Sequence, residues 1–327
     1  MPAMTAGTTT RTMQAMLLAA PGQFRPGERP VPQPGAPELL IRTTACGLCA
    51  SELDVFLGRN PWQQYPALLG HEGVGRVVAV GAGVTGWREG DLVAAALAGG
   101  CYAEFFTIDA ALALPVPAGL APHLALAEPL SCAVNALAEI QARPQDRIVL
   151  LGAGFMGLAL LQLLRATAPQ WLLVAARRAE VRRLAEALGA TETCRPEMVQ
   201  ERVWALTSGE GADVVIEATG AEPMLAIAAS LLRPEGTLAI VGYHQGDGRR
   251  VPVHEWNWKA LRIANCHVRS RARIVDGARR GLALAASGAL DVTCLVTHQF
   301  PLSAIQEAFQ TAAERPPGFV KAVIVPG

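Results

Sequence analysis

The side chains best suited to bind a metal ion lie in three short segments of the chain. Cys49 lies in the first segment, His71 and Glu72 are adjacent in the second, and Glu128 precedes a proline in the third. A thiolate, an imidazole and a carboxylate together form a mixed ligand set that suits Zn²⁺. Three protein ligands with one open coordination position are typical of a catalytic zinc ion, whereas four closed ligands are typical of a structural one. The segments therefore predict a zinc site, if the fold brings them together.

These residue types also have simpler roles. Cys46 and Cys49 form a C-x-x-C pair, which is half of many closed zinc sites, but the chain has no second C-x-x-C pair. A buried cysteine usually packs as a small hydrophobic residue, and we expect this for Cys46. A single histidine is often a hydrogen-bonded core residue, so the order of the three segments along the chain is what favours a metal site.

A glycine-rich turn later in the chain has the pattern of a dinucleotide-binding site. Gly152, Gly154 and Gly157 stand in the order G-x-G-x-x-G, between an apolar run and a segment with helical spacing. The first glycine allows a tight turn, the second lets the backbone approach a pyrophosphate, and the third lets helix and strand pack closely. Phe155 and Met156 begin the helix, whose free N–H groups attract phosphate.

Two hydrophobic patterns divide the chain into two kinds of structure. Up to about residue 114, short apolar runs between Gly and Pro predict a β-rich domain, with a loop over residues 21–36. A helix is expected over residues 121–138. From residue 147 onward, strands alternate with helices, which predicts βαβ units around a doubly wound parallel sheet of Rossmann type. The strand expected over residues 319–325 returns to the first domain, and the fold class is α/β.

That parallel region can be predicted element by element. Its expected strands are 147–151, 171–176, 213–218 and 237–241, and its expected helices are 155–167, 179–188 and 223–232.

The composition excludes several classes of function. The 28 basic and 28 acidic residues cancel, so nothing indicates a nucleic-acid or anionic-membrane partner. No apolar run is suited to span a bilayer, and residues 1–12 are expected to be a disordered leader rather than a signal peptide. Seven scattered cysteines favour reduced thiols and a cytoplasmic location.

Taken in order, the motifs resemble those of the zinc-dependent medium-chain alcohol and polyol dehydrogenases. The matching segments are Gly47-Leu48-Cys49-Ala50-Ser51, Gly70-His71-Glu72, Gly90-Asp91-Leu92-Val93, Glu128-Pro129-Leu130-Ser131, the glycine-rich turn and Val320–Ile324. The resemblance implies a GroES-like catalytic domain over 13–128 and 269–327, and a Rossmann domain over 129–268. It further implies an oxidoreductase that assembles as a homodimer or homotetramer through its nucleotide-binding domains.

The resemblance also assigns roles to residues. It makes Cys49 and His71 zinc ligands, with Glu72 and Glu128 as carboxylates that bind the metal or exchange with water. Zinc would act as a Lewis acid on the substrate oxygen, and Ser51 would pass the hydroxyl proton onward. Lys321 stands where relatives have a basic residue facing the cofactor pyrophosphate, although a solvated lysine is an alternative.

Two departures from the family pattern change what is expected. Relatives often hold a second zinc in a lobe with four closely spaced cysteines after the G-D-x-V motif, and this chain continues directly to Cys101 instead. We therefore expect one catalytic zinc and no structural zinc. Asp54 occupies a position where many relatives have a histidine that completes the proton relay from the serine. The relay then runs either through the Asp54 carboxylate or through water.

The strand after the glycine-rich turn favours NADP(H) over NAD(H). NAD-specific sites end this strand with an acidic residue that holds the ribose 2′-OH, but here Ala176 stands there, followed by Arg177 and Arg178. A small residue removes repulsion of a 2′-phosphate, and guanidinium groups bind phosphate. The alternative is that both arginines are a solvated helix face, but basic residues are unfavourable at a helix N-terminus.

The substrate is less well defined than the chemistry. The E-P-L-S segment resembles the sorbitol and polyol branch, so an alcohol or polyol, or its ketone or aldehyde, is expected by analogy. Two other hypotheses remain at this point: a zinc-free quinone or enoyl reductase of the same superfamily, and a non-catalytic NADPH-binding protein. Both are less favoured because Cys49, Ser51, His71 and Glu128 are all present.

Overall fold

Three β-sheets organise residues 11–326, which are the residues described by this computed structural model. The strands are β1 (Thr12–Ala20), β2 (Gln23–Pro30), β3 (Glu38–Gly47), β4 (Ala67–Leu68), β5 (Glu72–Val80), β6 (Leu92–Ala95), β7 (Phe105–Asp109), β8 (Ala113–Pro115), β9 (Arg147–Leu151), β10 (Trp171–Ala175), β11 (Glu192–Cys194), β12 (Ala212–Glu217), β13 (Leu232–Ile240), β14 (Arg262–Asn265), β15 (His298–Pro301) and β16 (Ala322–Val325). The α-helices are α1 (Ala50–Phe56), α2 (Ala127–Ile140), α3 (Phe155–Arg165), α4 (Ala179–Ala187), α5 (Val199–Thr207), α6 (Glu222–Leu231), α7 (Val253–Trp258), α8 (Arg271–Ala286) and α9 (Ile305–Glu314).

The parallel sheet has the strand order β11-β10-β9-β12-β13-β14, and all of its neighbouring pairs are parallel. In order of appearance this is 3-2-1-4-5-6, the doubly wound Rossmann arrangement. The order reverses between β9 and β12, and ligands bind such sheets at that crevice, outside the carboxyl ends of the strands. The predicted Rossmann fold is confirmed.

Alternation along β9 shows why this sheet is covered on both faces. Ile148 and Leu150 pack in one hydrophobic cluster with α3, whereas Val149 and Leu151 pack in another with α5 and α6. Successive side chains of a strand point to opposite faces, so an almost wholly apolar strand needs helices on both sides. The run that ends at Leu151 is therefore a central strand.

The other strands form a β-rich part of mainly antiparallel pairs. A seven-stranded sheet follows the order β15-β16-β3-β5-β6-β8, with β7 also paired to β3, and a smaller sheet has the order β2-β1-β4. The C-terminal strands β15 and β16 join this sheet after the parallel one is complete, so both ends of the described chain lie in the β-rich part, as predicted.

Helix α2 connects the two parts of the molecule. The Ser131 hydroxyl donates to the carbonyl of Ile274 at 2.7 Å, and the Asn135 amide donates to the carbonyl of Arg273 at 3.1 Å, which fixes α2 against α8. A continuous core around α2 contains residues of both sheets, including Ala45 and Ile148. The first turn of α2, which carries Glu128, is thereby held beside the β-rich part.

The structure corrects the sequence prediction in two places. The segment 21–36 is not a loop throughout, because β2 pairs with β1 over residues 23–30. Pro26 and Pro30 are tolerated there because β2 is an edge strand. A proline has no N–H to donate, and on the open side of an edge strand none is needed for the ladder. The predicted leader, 1–12, mostly lies outside the described residues, but its last residue, Thr12, already begins β1.

No helix within residues 11–326 has both the length and the apolar character needed to cross a membrane.

Candidate active site

The pairing of β3 with β5 builds a cluster of candidate metal ligands, the metal-binding cluster. Gly47, the last residue of β3, lies opposite Glu72, the first residue of β5, and Cys49 follows directly as the N-cap of α1. His71 immediately precedes β5. Ligand atoms of Cys49, His71 and Glu72 consequently lie within 4.8 Å of one another, although 22 positions separate the first and the second.

The donor set of this cluster fits a zinc ion. One thiol sulfur, one imidazole nitrogen and one carboxylate oxygen form a borderline-soft set of three, the number of protein ligands typical of catalytic zinc sites. Cys46 does not belong to the cluster and is fully buried in the core of the β-rich part.

Glu128 lies beside the cluster rather than within it. It enters from the first turn of α2, and the Cys132 thiol donates to its Oε1 at 3.4 Å. Burial raises the pKa of the Glu128 carboxyl, and the nearby charge of Glu72 raises it further. Two carboxylates thus approach the same site from different parts of the fold.

A buried carboxylate that the sequence analysis missed holds His71 in place. Glu52 Oε1 lies 2.9 Å from His71 Nδ1 and accepts from the Gly70 backbone N–H at 2.7 Å, while Oε2 accepts from the Tyr102 hydroxyl at 2.7 Å. With Nδ1 engaged, the other ring nitrogen, Nε2, is left for a metal. The signal was present as a carboxylate three residues after Cys49.

The charges of Glu52 and His71 reinforce each other. Burial disfavours ionisation of Glu52, but His71 and Tyr102 outweigh it and lower the pKa of the carboxyl. Burial likewise disfavours the charged imidazole, but Glu52 and Cys49 outweigh it and raise the pKa of His71. Each group thus favours the charged form of the other.

Ser51 and Asp54 lie on α1, next to the metal-binding cluster. The Ser51 hydroxyl donates to Cys49 Sγ at 3.3 Å, which places it at the cluster itself. Asp54 lies one turn further along the helix, and its carboxylate accepts from the Arg59 guanidinium at 3.1 Å.

Lys321 is a buried partner of Glu72. Its ammonium group lies 2.9 and 2.8 Å from the two carboxylate oxygens and donates to the carbonyl of Leu48 at 3.0 Å. Both side chains are almost completely buried, with 5% and 1% exposed. The ammonium nitrogen also lies 4.8 Å from the centre of the Phe155 ring, so Lys321 connects the cluster with the glycine-rich turn. Lys321 is therefore a buried, ion-paired residue and not the solvated lysine that the sequence left as an alternative.

The glycine-rich turn has the geometry that its sequence predicts. Gly152 has φ +101°, a left-handed conformation that favours glycine, and a Cβ on Gly157 would lie 2.1 Å from the Gly152 carbonyl oxygen. At Gly154 a Cβ would meet no other atom of residues 11–326 within 4 Å, so this side of the turn is open. Helix α3 begins at Phe155 with its free N–H groups at the opening.

The two arginines after β10 have different environments. Arg177 is exposed, and its guanidinium makes no hydrogen bond or ion pair within the described chain. Arg178 instead donates to the carbonyls of Phe319 at 2.7 Å and Pro316 at 3.3 Å. Its Nη1 also lies 3.5 Å from Glu180 Oε1. Ala176, before them, is buried.

Comparison with known proteins agrees with this architecture. The family model of the alcohol dehydrogenase GroES-like domain matches residues 35–118, and that of the zinc-binding dehydrogenases matches residues 156–280. An uncharacterized zinc-type alcohol dehydrogenase-like protein of Haemophilus influenzae is 30% identical over 77% of this chain and 82% of its own.

Two further relatives are similar over nearly the whole chain. A sorbitol dehydrogenase of Halalkalibacterium halodurans is 28% identical over 88% of this chain and 92% of its own length. A mycobacterial protein solved in complex with NADPH superimposes with a TM-score of 0.83 and 28% identity, covering 96% of this chain and 100% of that one.

A parallel Rossmann sheet, a GroES-like β-rich part and a thiol–imidazole–carboxylate cluster within that part define a zinc-type nicotinamide-dependent oxidoreductase. The chain belongs to the zinc-type alcohol dehydrogenases of the medium-chain dehydrogenase/reductase superfamily.

Proposed function

We propose that this enzyme transfers a hydride between an alcohol or polyol, or the corresponding carbonyl compound, and NADP(H). The observation that carries the proposal is the convergence of Cys49, His71 and Glu72 within 4.8 Å, connected through Lys321 to the glycine-rich turn. A metal site and a dinucleotide turn that share one buried lysine are suited to hold a substrate oxygen beside a nicotinamide.

Each side chain of the site has a defined task in this reaction. When bound, zinc supplies a Lewis acid for the substrate oxygen and the nicotinamide supplies the hydride acceptor. Glu52 orients His71, and Lys321 balances the buried charge of Glu72. The Ser51 hydroxyl accepts the substrate proton and passes it outward, and Asp54, a turn further along α1, is the proposed exit of this relay.

We propose one catalytic zinc and no structural zinc. Cys49 and His71 would bind the ion, with either Glu72 or Glu128 as the third protein ligand. Glu72 belongs to the closely spaced group, but its charge is shared with Lys321, while Glu128 has a thiol as its hydrogen-bond donor.

NADP(H) is the proposed cofactor. Ala176 removes the carboxylate that would repel a 2′-phosphate, and Arg177 at the end of β10 offers an unpaired guanidinium to it. The similar mycobacterial structure contains NADPH. Gly152, Gly154, Phe155, Met156 and Gly157 would surround the pyrophosphate, and Lys321 would approach it from the β-rich part.

The substrate class and the assembly are proposed from the relatives and the surface. The similarity to a sorbitol dehydrogenase supports a polyol or sugar-like alcohol. Strand β14 is the edge of the parallel sheet and carries the exposed Ile263, which supports a homodimer or homotetramer through the nucleotide-binding domains. Seven free cysteines support a cytoplasmic location, and the proposed domain boundaries remain 13–128 and 269–327 against 129–268.

Metal analysis combined with an alcohol and aldehyde panel under both cofactors tests the function. We expect about one zinc per chain, turnover of a polyol, and a higher kcat/KM with NADPH than with NADH. Cys49→Ser and His71→Ala should lose zinc and activity together, while Cys294→Ser, outside the site, should retain both. Turnover of an alcohol by zinc-free protein would refute the metal role, and a strong preference for NADH would refute the cofactor.

A further inference from the structure

The C-terminal segment that follows α9 lies against the end of β10. Arg178 produces this contact, because its guanidinium donates to the carbonyls of Pro316 and Phe319, 138 and 141 positions later in the chain. Arg178 is the N-cap residue of α4, so its backbone is fixed by the Rossmann sheet. The segment 315–319 is thereby held beside Arg177 by bonds that Arg178 makes across the two parts of the molecule.

Arg315 begins this segment, at a place where its backbone is fixed. It is the C-cap of α9 with φ +50°, and its N–H donates to the Thr311 carbonyl at 2.8 Å. Arg315 is solvent-exposed, yet the pKa of its guanidinium is lowered, first by desolvation from neighbouring atoms and then by the positive charges of Arg178 and Arg177, against the opposing charge of Asp54. Arg315 directly precedes Pro316, whose carbonyl accepts from Arg178, so its guanidinium lies within range of repulsion by Arg178 and Arg177.

Among residues 11–326, carboxylates form an ion pair with only one of these three arginines, Arg178. Glu180 lies 3.5 Å from Arg178, and Asp54 pairs with Arg59 at 3.1 Å. The side chains of Arg177 and Arg315 have no hydrogen-bond or ion-pair partner among residues 11–326. Asp54 also acts on Arg315, but its attraction is weaker than the repulsion from Arg178 and Arg177. The remaining repulsion is unfavourable in the free protein, and a bound anion would relieve it.

The position of this arginine pair indicates which anion it would bind. The carboxyl end of the second Rossmann strand is where a dinucleotide places the 2′ position of its adenosine ribose. A 2′-phosphate offers up to two negative charges and several oxygens to the planar guanidinium fork. We propose, resting on the proposed NADP(H) specificity, that Arg315 binds the cofactor 2′-phosphate together with Arg177, while Arg178 positions the segment that carries Arg315.

The arrangement makes cofactor selectivity a property of both parts of the molecule. Arg177 lies just after β10, whereas Arg315 follows α9 in the C-terminal return to the β-rich part. Substituting the residues after β10 alone would therefore leave part of the phosphate site in place.

Binding titrations with the full-length enzyme test this role. The ligands are NADPH, NADH, adenosine 2′,5′-bisphosphate and AMP, and the variants are Arg315→Gln, Arg315→Lys and Arg177→Gln. Loss of one charged hydrogen-bond donor should weaken NADPH and the bisphosphate about tenfold, with a smaller loss for Arg315→Lys. NADH and AMP affinities should change by less than about twofold, since neither ligand has a 2′-phosphate. Arg279→Gln, on α8 and 65% exposed, is the matched control and should change none of the four.

Two outcomes would overturn the role of Arg315 itself, and a third would instead refute the cofactor assignment. Unchanged NADPH affinity in Arg315→Gln would overturn it. Equal weakening of NADPH and NADH would also overturn it, because that result indicates a structural role. Wild-type enzyme that binds NADH more tightly than NADPH would remove the cofactor proposal on which this one rests.

Discussion

Glu52 engages one ring nitrogen of His71, the proposed zinc ligand, and leaves the other available for the metal. The carboxylate is 5% exposed and is itself held by the Gly70 backbone N–H and the Tyr102 hydroxyl. Such partners of a metal-binding histidine fix the tautomer and orientation of the ring. We therefore propose Glu52 as a positioning residue, whose effect on the reaction passes through His71.

Replacing Glu52 tests this role. Glu52→Gln keeps the size of the side chain but removes its charge, so zinc affinity should fall about 10- to 100-fold, as for other partners of metal ligands. Competition with a chromogenic chelator measures the affinity directly. Glu89→Gln, an exposed carboxylate outside the site, is the control and should behave as wild type. Equal zinc affinity in both variants would contradict the role.

The sequence contained the metal-binding residue types but not all of their partners. Cys49 and His71 stand in short motifs that are visible in the chain. Glu52 occupies the third position of α1, where an acidic residue is common for purely helical reasons, so nothing local connects it with His71. That contact arises only because β3 and β5 pair.

At the scale of elements, Asp213 connects three strands of the parallel sheet. It lies near the start of β12 and accepts from the backbone N–H and Nε of Arg147 on β9, at 2.7 and 2.9 Å. On the other side it accepts from Arg233 Nε on β13, at 2.6 Å. Burial disfavours the charge, but these bonds outweigh it and lower the pKa of Asp213 to about 2.

This pKa predicts how stability depends on pH. A carboxyl whose pKa is lowered by folding stabilises the native state above its unfolded pKa, near 4, and loses this contribution as pH falls toward 2. Asp213→Asn should therefore lower the free energy of unfolding by about 2 kcal/mol at neutral pH and by progressively less between about pH 4 and pH 2. Urea unfolding at a series of pH values checks this. Glu210→Gln, whose carboxylate is 69% exposed, should cause little change at any pH, and an equal effect of both variants would refute the assignment.

Helices and strands were predicted correctly where the sequence pattern is local. They were missed where the position of a strand in its sheet determines the structure. Strand β9 and helix α3 begin where the sequence places them, because a continuous apolar run, a glycine turn and a helical period occupy adjacent residues. Strand β2 was missed because its prolines indicate a loop, and only its place at the sheet edge makes them acceptable.

At the scale of the whole molecule, the edge of the parallel sheet is the surface that we propose for contact with a second copy of the chain. Strand β14 pairs only with β13 among the described strands, and nearby Trp258 is 85% exposed. An uncovered edge with apolar side chains is suited to pair with another sheet.

Charge placed on this edge should separate the subunits. Ile263→Lys introduces a cation on β14, so the molar mass should fall toward the monomer value of 34.4 kDa. Size-exclusion chromatography with light scattering measures the change. Trp204→Gln, which alters an exposed aromatic residue of α5, should keep the wild-type mass. A wild-type mass for Ile263→Lys would place the interface elsewhere.

The sequence by itself determined the fold class, the dinucleotide turn and the types of metal ligand. Each depends on residues close together in the chain, since hydrophobic period, glycine positions and short motifs are local properties. The tertiary structure decided the partners of those residues. Lys321 pairs with Glu72, 249 positions away, and Arg178 brings the segment of Arg315 beside Arg177 through a contact that spans 138 positions. Such contacts depend on how the sheets and α2 pack together, and no local pattern encodes them.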